Sequence, residues 1–501
     1  MEEISKATGK TKDTSYYVKS IIGLAIMIFF GKLNAPSPIT QVGMVVLGQF
    51  IGLIFLWTFV DMVWPTFASI VLFGFIAQDI YPNSFALAGI YEAGAQSIGN
   101  WCVVIVIGLL ILCEVLNETG VIKRVAMWFL TRKTAMKSPW GFTFMFLLSA
   151  FVIGLLMDVA IAQVFMLALA KEIFGILGVD KNDKWTRVVT IGITFTVVMA
   201  FASTPICHTL PILFMGIFSA IAGTSVNWVS YMLIALPVFV IIWLIMFLFF
   251  RFVVKPDISK LKKADFSAIR KLRDDLGKMG KREKTVIIVA ILLVFAWLLP
   301  GFLSLFAPTA GITDWLNSIT MLAPLFVAIV FMAIVRIEGR PLLDISTATS
   351  KISFHVVFLL AGIMLIAGAM GEDTTGISAW VHDVLAPMVS GMSPYMLIAF
   401  MAIVSIILTN FANNVPVGIV LITVGVPISL QMGINPFVTA VTISFGSNLA
   451  YCIPPAFVPV GYCYADPFGG AKYTFRWGLV TMIISIAVSI LLIYPLSLVF
   501  G

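Results

Sequence analysis

The stretch that decides the fold is TNFANNVPVG, residues 409–418. Two adjacent asparagines and a proline lie here in the middle of an apolar stretch that runs from about 394 to 431. Amides and a helix breaker are costly inside a membrane unless that backbone is buried in protein or lines a wet cavity. The pattern therefore predicts two half-helices that meet at a tip, with the asparagines at the tip.

A second apolar stretch, about 140–174, has the same design, with its polar break at Met157-Asp158. The 501 residues are 60% hydrophobic and 11% charged, whereas soluble domains carry about 25% charged residues. We therefore predict an all-α polytopic membrane protein with about 11 transmembrane helices plus two opposed re-entrant hairpins. The predicted spans are about 19–35, 40–62, 64–80, 100–117, 185–221, 227–253, 285–306, 319–336, 352–371, 436–463 and 477–500.

The basic residues cluster in a few segments between the predicted spans. Residues 251–284 contain twelve basic and five acidic residues, whereas 81–99, 300–318 and 371–393 contain no lysine or arginine. Such clustering is typical of the positive-inside rule. It argues against nucleic acid as a partner and predicts a plasma-membrane protein with a cytoplasmic N-terminus and a C-terminus outside.

The two halves of the chain repeat one pattern. Gly120 of NETG precedes Asp158 by 38 residues, and Gly376 of DTTG precedes Asn414 by 38 residues. Each tip is followed by a proline-broken span, which contains STPICHTLP (203–211) or YCIPP (451–455). Since the halves begin on opposite sides of the membrane, the pattern predicts an inverted-topology repeat, a design typical of secondary transporters. The predicted organisation is a cytoplasmic N-terminus at 1–18, a first half at 19–253, a basic cytoplasmic linker at 254–284 and a second half at 285–501.

Several other classes of function lack their motifs. The chain has no GxxxxGK[ST] loop, no HExxH pattern and no GxSxG elbow, so we expect neither an ATP-driven pump nor an enzyme. An anion channel stays open as an alternative, because hairpins also build pores. The five cysteines form no CxxC pair and lie in or beside apolar segments, which indicates buried thiols. The linker has two readings that stay open, a solvated segment and a lipid-binding basic helix.

These features together resemble the divalent anion:sodium symporter family, which includes the INDY-like dicarboxylate transporters. The resemblance covers roughly residues 20–500 and rests on the two opposed hairpins, the TG motif before each and the proline-broken span after each. It implies scaffold and transport domains, a homodimer in the lipid bilayer and an elevator mechanism. It also implies a small di- or tricarboxylate substrate of the succinate, malate or 2-oxoglutarate class, and no cofactor beyond sodium.

The family carries a Ser-Asn-Thr triplet at each tip, and those positions fall on Met157-Asp158-Val159 and Asn413-Asn414-Val415. Asn414 is the identical residue among the six. The substrate contacts that the resemblance implies are Asp158, Val159, Asn413, Asn414, Val415, Ser203, Thr204 and Pro454. The sodium-binding residues that it implies are Thr409, Ala412, Asn414 and Ser444. An acid inside the membrane is by itself a candidate for function, so we add Asp158, with His208 as its nearest candidate partner by the repeat, as residues for sodium or a proton.

The first triplet departs furthest from the family. Met157 offers only a weak thioether acceptor, and an ionised Asp158 cannot donate to a carboxylate. Asp158 could bind sodium, carry a proton, pair with a cation such as a protonated His208, or bond to backbone at the tip. We therefore expect a substrate exchanger or a proton-linked carrier with at most one sodium. The alternatives are a sodium-coupled symporter of another organic or inorganic anion, and an anion channel. Away from the tips, we expect Lys171 and Glu172 to form an interfacial pair.

Overall fold

The computed structural model describes most of the chain. The described residues are 14–61, 63–82, 89–206, 208–263, 266–306, 311–319, 321–352, 354–377, 379–380, 383 and 391–501. In the first half of the chain the helices are α1 Thr14–Phe29, α2 Gln41–Phe59, α3 Trp64–Gly74, α4 Ala77–Ile80, α5 Ile90–Gln96, α6 Trp101–Glu118, α7 Val121–Leu130, α8 Lys133–Lys137, α9 Pro139–Leu156, α10 Val159–Ile176, α11 Lys184–Ser203, α12 Thr209–Ala222 and α13 Trp228–Phe249.

The linker and the second half continue the all-helical pattern. Their elements are α14 Ser259–Lys263, α15 Ser267–Asp274, α16 Lys281–Phe306, α17 Gly311–Ile319, α18 Leu322–Ile334, β1 Arg336–Ile337, β2 Arg340–Pro341, α19 Ile345–Ser350, α20 Phe354–Gly371, α21 Pro394–Phe411, α22 Asn414–Gln431, α23 Pro436–Ser447, α24 Val458–Ala465 and α25 Ala471–Phe500. The two short strands pair antiparallel.

The predicted fold class is confirmed. Among the described residues, ten helices are long and apolar enough to cross a membrane, and up to eleven if the bent pair Ile90–Gln96 and Trp101–Leu116 is one span. Four of the ten are hairpin arms. Each arm has 18 residues and is therefore about 27 Å long. Re-entrance of the hairpins and the sides of the termini stay predictions.

Some predicted boundaries were wrong. The predicted span 64–80 forms a helix only over Trp64–Gly74, followed by a short α4, and the span 319–336 is a helix only over Leu322–Ile334. The stretch 81–99, predicted as an outer loop, contains α5, which lies at 54° to the helix that follows. Apolar composition alone does not fix where a helix ends, because caps and packing decide it.

Both hairpins begin with the same local signal. Ser138 caps α9 by accepting a hydrogen bond from the Gly141 N–H, and Ser393 caps α21 in the same way from Met396. A proline follows each cap at the first helical position, where its missing N–H costs nothing. The first arm of each hairpin is therefore started by a Ser-Pro pair.

The described chain divides into two compact units, each with segments from both halves of the sequence. The first unit takes its residues from Met1–Val104, Ser219–Gly223 and Ser353–Ser390. Within it, α2 packs on α1 and on α20. The Thr40 side chain caps α2 and also donates to the Thr374 carbonyl, 2.7 Å away.

The second unit takes its residues from Ile105–Phe218, Thr224–Ile352 and Gly391–Gly501, and contains both hairpins and the proline breaks of both broken spans. Each hairpin packs on the first helix of its own broken span: α9 and α10 on α11, and α21 and α22 on α23. The helices α11 and α23 also contact each other, and nearly all their residues are buried. They form the centre of this unit, and both hairpin tips lie beside their C-terminal ends.

The four described cysteines, Cys102, Cys113, Cys452 and Cys463, are buried, as predicted. Cys207 lies outside the described residues.

Candidate functional site

The second tip consists of two residues in extended conformation between α21 and α22. Ala412 ends the first arm, and Asn413 caps α22 by accepting a hydrogen bond from the Val415 N–H, 3.0 Å away. The Asn413 side chain is exposed, and its amide nitrogen lies 3.5 Å from the Pro455 carbonyl oxygen. The tip therefore offers a neutral cap that can still meet a ligand.

The tip is joined to the break between α23 and α24. The Thr409 hydroxyl donates to the Ser447 carbonyl at 2.5 Å, and the Asn414 N–H donates to the Ala456 carbonyl at 3.1 Å. The Asn414 amide lies 3.4 Å from the Asn448 side-chain oxygen. The fully buried Ser447 hydroxyl has no hydrogen-bond partner among the described residues. An orphaned buried hydroxyl beside several oxygen atoms is what a cation site would leave.

Three polar residues in this network were not predicted from the sequence. The Asn448 amide donates to the Ser444 carbonyl at 2.8 Å, and the Asn410 amide donates to the Leu449 carbonyl at 2.8 Å. The buried Tyr231 hydroxyl lies 3.2 Å from the Ser444 hydroxyl. Asn410 and Asn448 are amides within long apolar stretches, so the reasoning that selected Asn413 and Asn414 could have found them.

The first tip has the same backbone plan with different side chains. Met157 ends α9 and Asp158 caps α10, and both residues are extended. One carboxylate oxygen of Asp158 accepts from the N–H groups of Ala160 at 2.9 Å and Ile161 at 3.4 Å. Val159 is buried at the start of α10. The structure thus matches the expectation of a backbone bond at the tip, and among the described residues no hydrogen bond joins Asp158 to His208.

His208 joins the first tip to the break between α11 and α12. The fully buried ring has Nε2 at 2.9 Å from the Met157 carbonyl and Nδ1 at 2.8 Å from the Thr204 carbonyl. The Ser203 and Thr204 hydroxyls, which were predicted to contact substrate, form hydrogen bonds with residues close to them in sequence. Ser203 donates to the Met199 carbonyl, and Thr204 accepts from the Ile206 N–H. Neither hydroxyl is exposed.

The caps pair the two halves differently from the sequence repeat. Asp158 and Asn413 each cap the second arm of a hairpin, whereas the 38-residue spacing paired Asp158 with Asn414. By cap position, Val159 is the counterpart of Asn414 and Met157 the counterpart of Ala412. The spacing in the second half is one residue shorter, which a count from Gly376 could not reveal. The first half therefore has no amide at the position of Asn414.

Other contacts tie the two broken spans together within this unit. The Gln163 amide donates to the Thr194 hydroxyl at 3.0 Å and to the Pro459 carbonyl at 2.8 Å. The Phe201 and Phe457 rings lie 5.4 Å apart. Gln163 was not selected from the sequence, although it is a polar residue inside the second arm of the first hairpin. Both tips and both breaks therefore belong to one packed region, and Pro454 is exposed beside the second tip.

The predicted Lys171–Glu172 pair was wrong. Lys171 lies 2.7 Å from the buried Asp466 carboxylate, and Glu172 lies 3.5 Å from Lys123. Adjacent residues on a helix point in different directions, so neighbours in sequence do not face each other.

The chain is similar to known proteins over almost its whole length. The family model for the sodium:sulfate symporter transmembrane region matches residues 14–499. A sodium-dependent dicarboxylate transporter SdcS of Staphylococcus saprophyticus is 22% identical over 287 residues, which is 56% of this chain and 53% of the relative. The SdcS of Staphylococcus aureus strain RF122 is 22% identical over 273 residues, 54% of this chain and 51% of the relative. The match thus spans about half the length of each relative.

One solved structure covers nearly the full chain. The Alcanivorax borkumensis YdaH transporter, described as having an unusual topology, matches with a TM-score of 0.52 and 12% identity. The match covers 95% of this chain and 96% of that one. At this identity the likeness concerns the fold.

Proposed function

The chain belongs to the sodium:sulfate symporter family, and from this premise we propose that it is a secondary active transporter of small di- or tricarboxylate anions. Family membership makes it a multi-pass membrane transporter and not an enzyme. The observation that carries the proposal is the packed region in which each hairpin tip meets a helix break. The names of the two relatives, sodium-dependent dicarboxylate transporters, support the substrate class.

The anion binds at the second tip. The N-terminus of a helix carries partial positive charge, which attracts anions. At α10 this end already holds the Asp158 carboxylate, whereas at α22 it holds the neutral, exposed Asn413. The substrate carboxylate therefore lies against Asn413, with Val415 and the exposed Pro454 beside it.

A single co-transported sodium ion binds on the buried side of the same tip. Sodium prefers oxygen ligands such as carbonyls freed by an unwound helix. The fitting oxygens are the Thr409 hydroxyl, the Ala412 carbonyl and the Asn414 amide oxygen, with the unpartnered Ser447 hydroxyl on the facing segment near Ser444. The bound ion would supply positive charge beside the substrate carboxylate.

The first tip offers no comparable oxygen cage among the described residues, because its cap oxygen holds backbone N–H groups and its break is held by His208. We therefore propose substrate exchange or proton-linked transport with at most one sodium. The transport cycle is an elevator movement within a homodimer whose N-terminus is cytoplasmic and whose C-terminus is outside. The elevator movement and the homodimer rest on resemblance to the family, and the sides of the termini rest on the distribution of basic residues.

Uptake into proteoliposomes tests the function. Labelled succinate is supplied while sodium, proton and internal-succinate gradients are imposed one at a time. We expect saturable uptake, strong stimulation by internal succinate or a proton gradient, and a sodium dependence without cooperativity. Steeply cooperative sodium dependence without exchange or a pH effect would overturn the coupling proposal. Non-saturable flux with single-channel currents would instead indicate an anion channel.

Sulfate is the second candidate substrate, because the family model is named for sodium:sulfate symport. Competition of unlabelled sulfate against labelled succinate in the same vesicles decides between the two anions.

A further inference from the structure

The His208 ring has an unusual pair of partners. Both ring nitrogens lie within hydrogen-bond distance of main-chain carbonyl oxygens, Met157 at 2.9 Å and Thr204 at 2.8 Å. Carbonyl oxygens only accept hydrogen bonds, whereas a neutral imidazole has one donor and one acceptor nitrogen. A neutral ring would therefore press one unshared electron pair against a carbonyl oxygen. A ring with protons on both nitrogens satisfies both contacts.

We propose that His208 is a built-in cation of the first half: its imidazolium bridges the Met157 and Thr204 carbonyls and takes the place of a coupling ion. Two charge-assisted hydrogen bonds favour the charged ring, while burial opposes it. With a proton on each nitrogen, neither nitrogen is left as an acceptor facing a carbonyl oxygen.

The second half provides the reference for this role. Met157 and Ala412 end the first arms of their hairpins, and Thr204 and Asn448 follow the last residues of α11 and α23. The ring thus joins two backbone positions whose counterparts in the second half lie among neutral oxygen and amide groups. There the Ser447 hydroxyl has no partner within the described part of the chain. The first half thus carries its positive charge on His208, whereas the second half binds a cation from solution.

Among the described residues, two groups bear on the charge of the ring. From the hairpin side, Asp158 follows the bonded Met157 and directs one carboxylate oxygen to the start of α10. From α11, the Phe201 ring lies 4.9 Å from the imidazole ring, centroid to centroid, and contributes an aromatic face. An imidazolium at this break places one positive charge beside the first tip without a dissolved ion.

The charge of the ring is tested without any transport assay. The chain has three histidines, so the full-length variant His355→Gln/His382→Gln, with ¹⁵N-labelled histidine, reports His208 alone. Solid-state NMR is recorded in lipid vesicles at pH 8, where a free histidine with pKa about 6.5 is mostly neutral. We expect both ring nitrogens to carry protons. A ring with one bare nitrogen overturns the proposal, whatever the transport assays show.

The coupling role rests on the proposed transport function and has its own measurement. In the parent, the Hill coefficient for sodium is expected near 1. In His208→Ser, which removes the ring and leaves both carbonyls, sodium can fill the gap, and the coefficient is expected to rise towards 2. If His208→Ser transports at the parental rate with unchanged sodium dependence, the His208 ring does not take the place of a sodium ion. If His208→Ser does not reach the membrane, the NMR result decides, and absent uptake by a well-folded parent counts against the proposed function alone.

Discussion

At the first hairpin tip a carboxylate caps the second arm and a histidine ring joins the tip to the helix break. At the second tip a neutral amide caps the second arm, and hydroxyl and amide groups make the junction. The backbone plan is the same: two extended residues between helices of 18 residues. The comparison teaches that one backbone plan can carry a carboxylate cap bonded to backbone N–H groups or a neutral, exposed amide cap. In the roles proposed above, the first tip has its positive charge on His208, and the second binds an anion and a cation.

The largest effect is expected when the second junction is broken. Asn414→Ala removes the buried amide that faces Asn448. Losing a buried hydrogen-bond partner costs about 1–3 kcal/mol, so we expect uptake per molecule in the membrane to fall about tenfold or more. Asn182→Ala, at an exposed position, is the matched control and should transport normally. Parental uptake by Asn414→Ala would remove this residue from the site.

A change at the second cap tests whether charge distinguishes the tips. Asn413→Asp copies the first tip, because aspartate also caps a helix but brings a negative charge to the anion. We expect KM for succinate to rise about five- to tenfold, in line with roughly 1 kcal/mol for a charge near a helix N-terminus. Asn413→Ser keeps a neutral cap and should change KM much less. Equal KM values for the two variants would show that the cap charge is irrelevant.

The sodium side of the second tip is probed by Thr409→Val, which keeps the shape of threonine and removes the hydroxyl bonded to the Ser447 carbonyl. We expect half-saturating sodium to rise about three- to fivefold, with less effect on KM for succinate at saturating sodium. Thr423→Val is the matched control, since its buried hydroxyl bonds only to the Ile419 carbonyl of its own helix. A similar shift in both variants would point to general loosening of the hairpin.

The smallest effect is expected away from both tips. Lys351 pairs with Glu114, and with Glu118 at 3.1 Å. The hydrogen bond to Glu114, and to a smaller extent the one to Glu118, raise the pKa of Lys351 above its usual value. The pair therefore contributes at neutral pH, and its contribution is lost as pH rises through that raised pKa. Lys351→Gln should lower the unfolding temperature by at most about 2 °C in a thermal scan and leave uptake unchanged. If Lys351→Gln lost uptake, a residue far from both hairpin tips would be needed for transport.

The hairpins could be predicted to within a few residues because their signals are local. Each first arm starts at a Ser-Pro pair, and each break carries polar residues inside an apolar stretch. The paired positions of the two tips could not be predicted as well. A fixed spacing from Gly376 places Asn414 opposite Asp158, whereas capping depends on which side chain reaches the free N–H groups of the following helix.

Partners across the fold were the hardest part to predict. His208 was expected near the Asp158 side chain, but its recorded hydrogen bonds go to the carbonyls of Met157 and Thr204. Every residue has a main-chain carbonyl, so the sequence does not indicate which carbonyls a side chain will contact. Lys171 finds Asp466 nearly 300 residues away, because helix packing rather than adjacency brings the two charges together.

The hydrogen bond from Gln163 to Pro459 has a consequence for the evolution of the chain. This one amide fastens the arm of the first hairpin to the Pro459 carbonyl in the other half. A change of shape in one half must keep this contact or lose it, although each half can still exchange its own side chains. A lineage could therefore gain or lose a dependence on a dissolved ion by replacing a few residues at one tip, while the frame shared by both halves stays intact.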